Sequence, residues 1–358
     1  MEALATSKWK RSLQQRMLAW FAEQARELPW RGTQDLYAIW VSEIMLQQTQ
    51  VATVVPYFQR FVQQFPTVAA LAAADEHEVL RLWEGLGYYR RARQLHAAAK
   101  QIVVEHHSRF PETFAEVLAL PGIGRYTAGA ILSIGRDARL PILEANTVRV
   151  LSRLLAYRGD VQSTAGQQRL WQFAEELLPE EQIGHFNQSL MELGATICTP
   201  REPACLLCPV ARLCPTRDRG LQDKIPAPKK KKVYEEVTEA AVVLRRADGS
   251  VLLRRCEPGE RWAGLWDFPR VVAAAPEAIA TAIADLIGAK VEIGEQLTTL
   301  KHGVTRFRIT LKVYEGKCIG RLGSPGGSRQ WVQRAALADF ALSTTGRKIA
   351  RLISSKGG

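Results

Sequence analysis

Cys198, Cys205, Cys208 and Cys214 fall within one seventeen-residue stretch, CTPREPACLLCPVARLC, with six, two and five residues between them. Four thiolates that close together make a metal site, because four-coordinate zinc and a cubane iron-sulfur cluster both need four sulfurs converging. Zinc usually draws two Cys-x-x-Cys pairs from separate knuckles, and this stretch holds one such pair. A single loop wrapped around a [4Fe-4S] cluster is the better reading. Cys256 and Cys318 lie far off and read as ordinary core or surface thiols.

Two further patterns carry chemistry. In LPGIGRYTAGA, residues 120–130, Gly122 and Gly124 permit left-handed torsions and close approach. Amides at the start of the following helix can then face an anion, with Leu120 and Ile123 anchoring the turn in the core. In WVSEIMLQQTQV, Glu43 lies among Trp40, Ile44 and Met45. A carboxyl pressed against apolar walls has its charged form disfavoured, which suits a general acid. Glu144 precedes a helix start in PILEANTVRV, and Asn146 is placed to cap that helix. Gln188, in FNQSLMELGA, has an amide able to read a donor–acceptor edge by two hydrogen bonds.

The elements that must hold these residues follow from periodicity. Up to about residue 225 apolar residues recur at threes and fours, including LYAIWVSEIMLQQTQVATVVPYFQRFVQQF as one helical run. GLQDKIPAPKKKKVYEE, with Pro226, Pro228 and Lys229 to Lys232, has the composition of a solvated linker. Beyond it, TEAAVVLRRADGSVLLRRC reads as a hairpin, FRITLKVYEG as a strand and PEAIATAIADLIG as a helix. The chain of 358 residues carries 48 Lys+Arg against 36 Asp+Glu, a net charge of +12 that favours a polyanionic partner. No secretory pattern opens the sequence and no run is long enough to span a membrane, so a cytoplasmic, nucleoid-associated protein with reduced thiols is expected.

Taken together, the Leu-Pro-Gly-Ile-Gly turn and the cysteine loop resemble the helix-hairpin-helix and cluster motifs of the endonuclease III superfamily of DNA glycosylases. Lyase members carry a lysine where this chain has Tyr126, and tyrosine cannot form a Schiff base. The chain is therefore most similar to the MutY-type adenine DNA glycosylases, which use water. The resemblance implies that Glu43 protonates the purine at N7, and that Gln48 and Tyr88 enter the duplex where a base has flipped out. Arg90, Arg91 and Arg93 are then available for phosphate. Trp30 and Arg31 match the wall of the base pocket.

The match has departures. The family's Asp-Gly-Asn is here Glu144-Ala145-Asn146. Its aspartate stabilises positive charge on the sugar, and a glutamate can supply that anion. RWAGLWDFPR resembles the signature of a Nudix-like domain, but only Glu277 and Asp285 follow where a magnesium-binding array would stand. A recognition module is expected there, without pyrophosphatase activity. After Lys301-His302 the family's Phe-Ser-His is replaced by Val304-Thr305-Arg306. Thr305 and Arg306 retain a hydroxyl and a donor for reading 8-oxoguanine.

The implied plan is a mainly α glycosylase domain, residues 1–222, joined by a linker at 223–236 to an α+β Nudix-like domain, 237–358. Within the first, a six-helix lobe at about 30–138 carries the helix-hairpin-helix. The amino-terminal helix and 139–222 form the iron-sulfur lobe. The expected activity is monofunctional excision of adenine opposite 8-oxoguanine or guanine in double-stranded DNA, by a monomer. A bifunctional glycosylase-lyase is argued against by Tyr126, and a non-catalytic iron-sulfur DNA binder by Glu43. A nucleotide-pool hydrolase is argued against by the broken Nudix array.

Overall fold

The computed structural model describes residues 6–227, 233–319 and 328–355. The chain opens with helices α1 (Ser7–Gln24), α2 (Leu36–Leu46), α3 (Val51–Gln64), α4 (Val68–Ala73), α5 (Glu76–Trp83), α6 (Arg90–Glu105) and α7 (Phe114–Ala119). It continues with α8 (Arg125–Arg136), α9 (Ala145–Leu154), α10 (Thr164–Glu176), α11 (Ile183–Thr196) and α12 (Pro215–Asp218). Helix starts are marked by short polar side chains that satisfy the orphan amides of the first turn. Thr6, Asp35, Asp75, Thr113 and Ser163 each accept from a backbone N–H two or three residues on.

The run from Leu36 to Phe65 is not one helix. It breaks at residues 47–50, where Gln48 has a left-handed φ of 57°. The cause is a change of environment that periodicity does not register. α2 is buried on nearly every side, whereas α3 buries one stripe, Val54, Phe58 and Phe61. No glycine or proline punctuates the turn.

Two compact units emerge, residues 1–73 with 94–230, and residues 74–93 with 231–358. In the first, Leu13 and Met17 of α1 share a core with Leu151 of α9, Phe173 of α10 and Phe186 of α11. The expected domain 1–222 contained residues 74–93, but these group with the carboxyl-terminal unit. There the Arg347 guanidinium binds both oxygens of Glu84, at 2.6 and 2.9 Å, and the His77 ring lies 2.9 Å from the Asp339 carbonyl. The expected linker 223–236 carries structure at both described ends. Ile225 is buried, its carbonyl accepting from Arg153 Nε at 2.9 Å, and a strand already begins at Glu235. Pro228 and Lys229 to Lys232 lie outside the described residues.

The second unit holds strands β1 (Glu235–Leu244), β2 (Val251–Arg255), β3 (Trp266–Asp267), β4 (Arg270–Val271), β5 (Lys290–Val304), β6 (Phe307–Ile319) and β7 (Arg329–Val332). Helix α13 (Pro276–Ile287) precedes β5, and α14 (Thr344–Ser355) follows β7. One sheet has the order β4-β1-β6-β5, the other β3-β2-β7. The hairpin read in residues 238–256 is confined to its turn and one antiparallel bridge, Arg245 to Val251. Arg246 N–H donates to Ser250 O at 2.9 Å, but β1 and β2 then enter different sheets. The physical reason lies in β1. Ala241 and Val243 face one core while Ala240, Val242 and Leu244 face another, so β1 needs partners along both edges and runs parallel to β6.

Candidate active site

The close fit of α8 against α2 builds this site. Gly122, with φ of 79°, takes the tight turn before α8, and a Cβ there would stand 2.8 Å from Gln94. Leu120 and Ile123 are buried on either side of it. Gly135 lets α8 approach α2, since a Cβ would lie 2.4 Å from Leu36. Gly124 is the N-cap of α8, supplies no side-chain cap and faces open space.

That packing sets Tyr126 against Glu43, whose Oε2 accepts the phenol's hydrogen bond at 2.6 Å. Glu43 is only 4% exposed. Burial pushes its pKa up to about 7, with the Tyr126 hydrogen bond pulling back and the nearby Glu144 charge adding to the rise. Tyr126 is held well above its ordinary value by burial and then by the two carboxylates, so it stays a donor.

Glu144, not Asn146, caps α9. Its Oε1 accepts from Thr147 N–H at 2.9 Å and its Oε2 from Asn146 N–H at 2.8 Å, with Thr147 Oγ1 accepting in return from Glu144 N–H at 2.7 Å. Burial raises the Glu144 pKa and these amides draw it back down. Asn146 lies inside the helix, its Oδ1 accepting from Arg149 Nη2 at 2.9 Å. The longer glutamate thus keeps both oxygens fixed at a helix amino terminus, where an anion is favoured.

One cavity of about 460 Å³ is lined by Glu43, Tyr126, Glu144 and Asn146, and also by Trp30, Arg31, Gln48 and Gln188. It brings together residues spread over more than 150 positions. Glu192, missing from the sequence reading, completes it. Arg26 Nε and Nη2 donate to its carboxylate at 2.6 and 2.9 Å, and Arg31 Nη2 at 2.5 Å. Burial raises the Glu192 pKa, and the two guanidiniums outweigh that and hold it below its ordinary value. The available signal was its place four residues after Gln188, on one face of α11. Arg31 is therefore already charge-paired. Gln188 gives one Nε2 hydrogen to the Gly184 carbonyl at 3.3 Å, which leaves its second N–H and its Oε1 for a two-bond contact to a base.

Tyr88, Thr305 and Arg306 belong to the other unit. Tyr88 and Thr305 both adopt left-handed backbone, with φ of 50° and 52°. Non-glycine residues in that region carry local strain, which concentrates at functional sites. Thr305 and Arg306 form the turn between β5 and β6, and Arg306 Nε sits 3.1 Å from Glu235 on the surface. Arg91 is not placed for phosphate. It is buried, its Nη2 donates to the Gly87 carbonyl at 3.2 Å, and desolvation lowers its pKa to about 10.

Cys198, Cys205, Cys208 and Cys214 line one small pocket together with Arg153 and Thr216. Arg153 Nη1 donates to Cys198 Sγ at 3.2 Å and to the Thr199 carbonyl at 2.9 Å, tying the loop to α9. Burial pushes the Cys208 thiol up to about 12 and raises Cys205 and Cys214. Among the described residues no three His, Cys, Asp or Glu side chains converge as a single ion would require. Four sulfurs around one pocket fit a polynuclear cluster, whose metal atoms each meet one cysteine at a separate corner.

Comparison with known proteins gives an independent view. Residues 41–176 match the family model of the HhH-GPD superfamily base excision DNA repair proteins, and residues 240–352 match that of the NUDIX domain. The chain is 40% identical over 256 residues to an adenine DNA glycosylase of Buchnera aphidicola subsp. Schizaphis graminum, covering 71% of this chain and 74% of that one. It is 42% identical over 299 residues to the Homo sapiens adenine DNA glycosylase, covering 80% of this chain but about half, 54%, of the human one. A thermostable thymine-DNA glycosylase superposes with a TM-score of 0.55 at 28% identity, over 60% of this chain and 99% of its own. A non-covalent endonuclease III–DNA complex gives 0.51 at 20% identity, over 61% and 99%, a likeness of fold alone.

Proposed function

This chain belongs to the adenine DNA glycosylase family, and from that premise we infer that it excises adenine from duplex DNA by hydrolysing the N-glycosidic bond. The observation that carries the reading is the buried Tyr126–Glu43 pair, 2.6 Å apart, in one cavity with Glu144. With a pKa near 7, Glu43 holds a proton that it can give to the departing purine. Glu144, fixed by two amides, offers negative charge to a sugar that becomes oxocarbenium-like. Water then adds to the sugar carbon, and the proton it sheds restores Glu43. Tyr126 offers no amine, so no Schiff base forms and the strand stays intact.

Thr305 and Arg306 are the groups proposed to contact 8-oxoguanine or its phosphate. The Arg306–Glu235 pair is exposed on both sides, so little is lost when Arg306 exchanges its partner. Cys198, Cys205, Cys208 and Cys214 would hold a [4Fe-4S] cluster. When bound it supplies a cross-link that fixes the loop and presents Arg201 and Arg212 to phosphate. The partner is double-stranded DNA with A:8-oxoG or A:G mispairs, met by a monomer. Among the described residues no helix is long and apolar enough to cross a membrane.

The test is incubation with duplexes bearing A:8-oxoG, A:G and A:C, resolved with and without alkali. Adenine release with strand cleavage only after alkali is expected. Cleavage without alkali, with a covalent complex trapped by borohydride, would overturn the monofunctional reading.

A further inference from the structure

A second and larger cavity, about 880 Å³, lies wholly within the carboxyl-terminal unit. Its volume suits a small organic ligand. Trp262, Phe268 and Phe307 supply aromatic walls.

Its polar groups are incompletely paired. Glu239, 3% exposed, binds Arg261 through Oε1, but its Oε2 has no hydrogen-bond partner among the described residues. Arg270 places Nη2 on Thr345 Oγ1 at 2.8 Å and 3.0 Å from Asp267, and leaves Nε and Nη1 without acceptors. Nη1 stands 3.7 Å from Glu239 Oε2, too far for a hydrogen bond. Both ring nitrogens of His302 and the Nε of Arg93 are also buried and unpartnered. Buried polar atoms are normally satisfied, so a set of them around one cavity points to a ligand.

The chemistry of that ligand can be read from the set. Arg270 requires acceptors and, directly beside it, Glu239 requires a donor. Guanine carries acceptors N7 and O6 next to donors N1–H and N2–H₂. Adenine puts a donor amine where guanine has O6, so it opposes the arginine. Charge completes the case. The cavity's ion pairs match Arg254 with Glu260, Arg261 with Glu239 and Arg270 with Asp267. Arg90, Arg93 and Lys348 also line it and have no ion pair among the described residues. They are left to face an anion such as phosphate.

We propose that this cavity binds an unpaired guanine nucleotide. Base pairing would occupy the N1–H and N2–H₂ edge that Glu239 must receive, so the base cannot be one that is paired. The site is separate from the adenine cavity, but Tyr88 and Thr305 also line it, so it shares Thr305 with the turn proposed above to contact 8-oxoguanine and rests in that respect on the same reading.

The experiment titrates the full chain with dGMP, dAMP, dCMP and inorganic phosphate by calorimetry, following tryptophan fluorescence in parallel. A single-stranded guanine-containing oligonucleotide and its duplex complete the series. We expect dGMP to bind at least about tenfold more tightly than dAMP, dCMP or phosphate, the low end of one well-placed base contact. Glu239→Gln should abolish that preference. Trp262→Leu, at a half-buried position that folding tolerates better, should weaken dGMP several-fold and leave phosphate unchanged. Equal binding of dGMP and the single strand, or tighter binding of either, keeps the proposal and assigns the source of the guanine. Equal affinity for dGMP and dAMP, binding of duplex alone, or no dGMP binding at millimolar concentration overturns it.

Discussion

The two cavities differ in how their polar atoms are held. In the helical unit, Glu43 has Tyr126, Glu144 has two helix amides, and Glu192 has two guanidiniums. In the carboxyl-terminal unit, Glu239, Arg270 and His302 keep buried atoms without partners among the described residues. The contrast separates two kinds of site. A reaction that develops charge gains from groups fixed in advance, because nothing then reorganises as the bond breaks. A site that only binds can leave its groups open, since the ligand itself satisfies them.

The largest test of this contrast is Glu43→Gln. The neutral amide keeps the hydrogen bond to Tyr126 but cannot give up a proton. Adenine release is expected to slow at least about a hundredfold in single-turnover assays, with duplex binding retained. Near-native turnover would break the assignment. The same variant carries a stability consequence. A buried carboxyl with a pKa raised to about 7 favours folding less as pH climbs from its unfolded value toward 7, because ionisation is easier in the unfolded chain. Glu43→Gln should therefore gain stability relative to the parent above pH 7, with the gap closing toward pH 4.5, as measured by denaturant midpoints.

Next in size is the pH dependence of the parent enzyme. The rate should fall about tenfold per pH unit above roughly 7, as Glu43 loses its proton. A flat profile to pH 9 would mean that another group is the acid.

Tyr126→Phe sharpens the wiring argument at a smaller scale. The phenol's hydrogen bond lowers the Glu43 pKa, so its removal should move the alkaline limb to higher pH and change the rate at pH 7 only several-fold. A limb that stays in place would show that the 2.6 Å contact does not tune the acid.

The smallest effect concerns the β5–β6 turn. Arg306→Ala is expected to weaken duplex binding several-fold on A:8-oxoG and A:G alike and to reduce the salt slope by about 1. Thr305→Ala should instead narrow the preference for A:8-oxoG. Titrations at two salt concentrations separate the two.

Much of this was legible in the sequence. The order of the motifs, the cysteine loop, the identity of Glu43 and Tyr126 and the α13 helix depend on local residue types and spacing, which a linear string records. Glu144 as a helix cap was within reach too, since an acid before a helix start has few other local uses. The tertiary structure decided the rest. It broke the α2–α3 run at Gln48, whose left-handed backbone turns the chain from a helix buried on nearly every side to one buried along a stripe. It parted β1 from β2, because β1 faces two cores. It drew Glu192 onto Arg26 and Arg31 across more than 160 positions. It turned Arg91 inward and grouped residues 74–93 with the carboxyl-terminal unit. The pKa of Glu43 belongs to this second kind, since desolvation depends on what packs against a side chain from distant segments, and no neighbour in sequence states that.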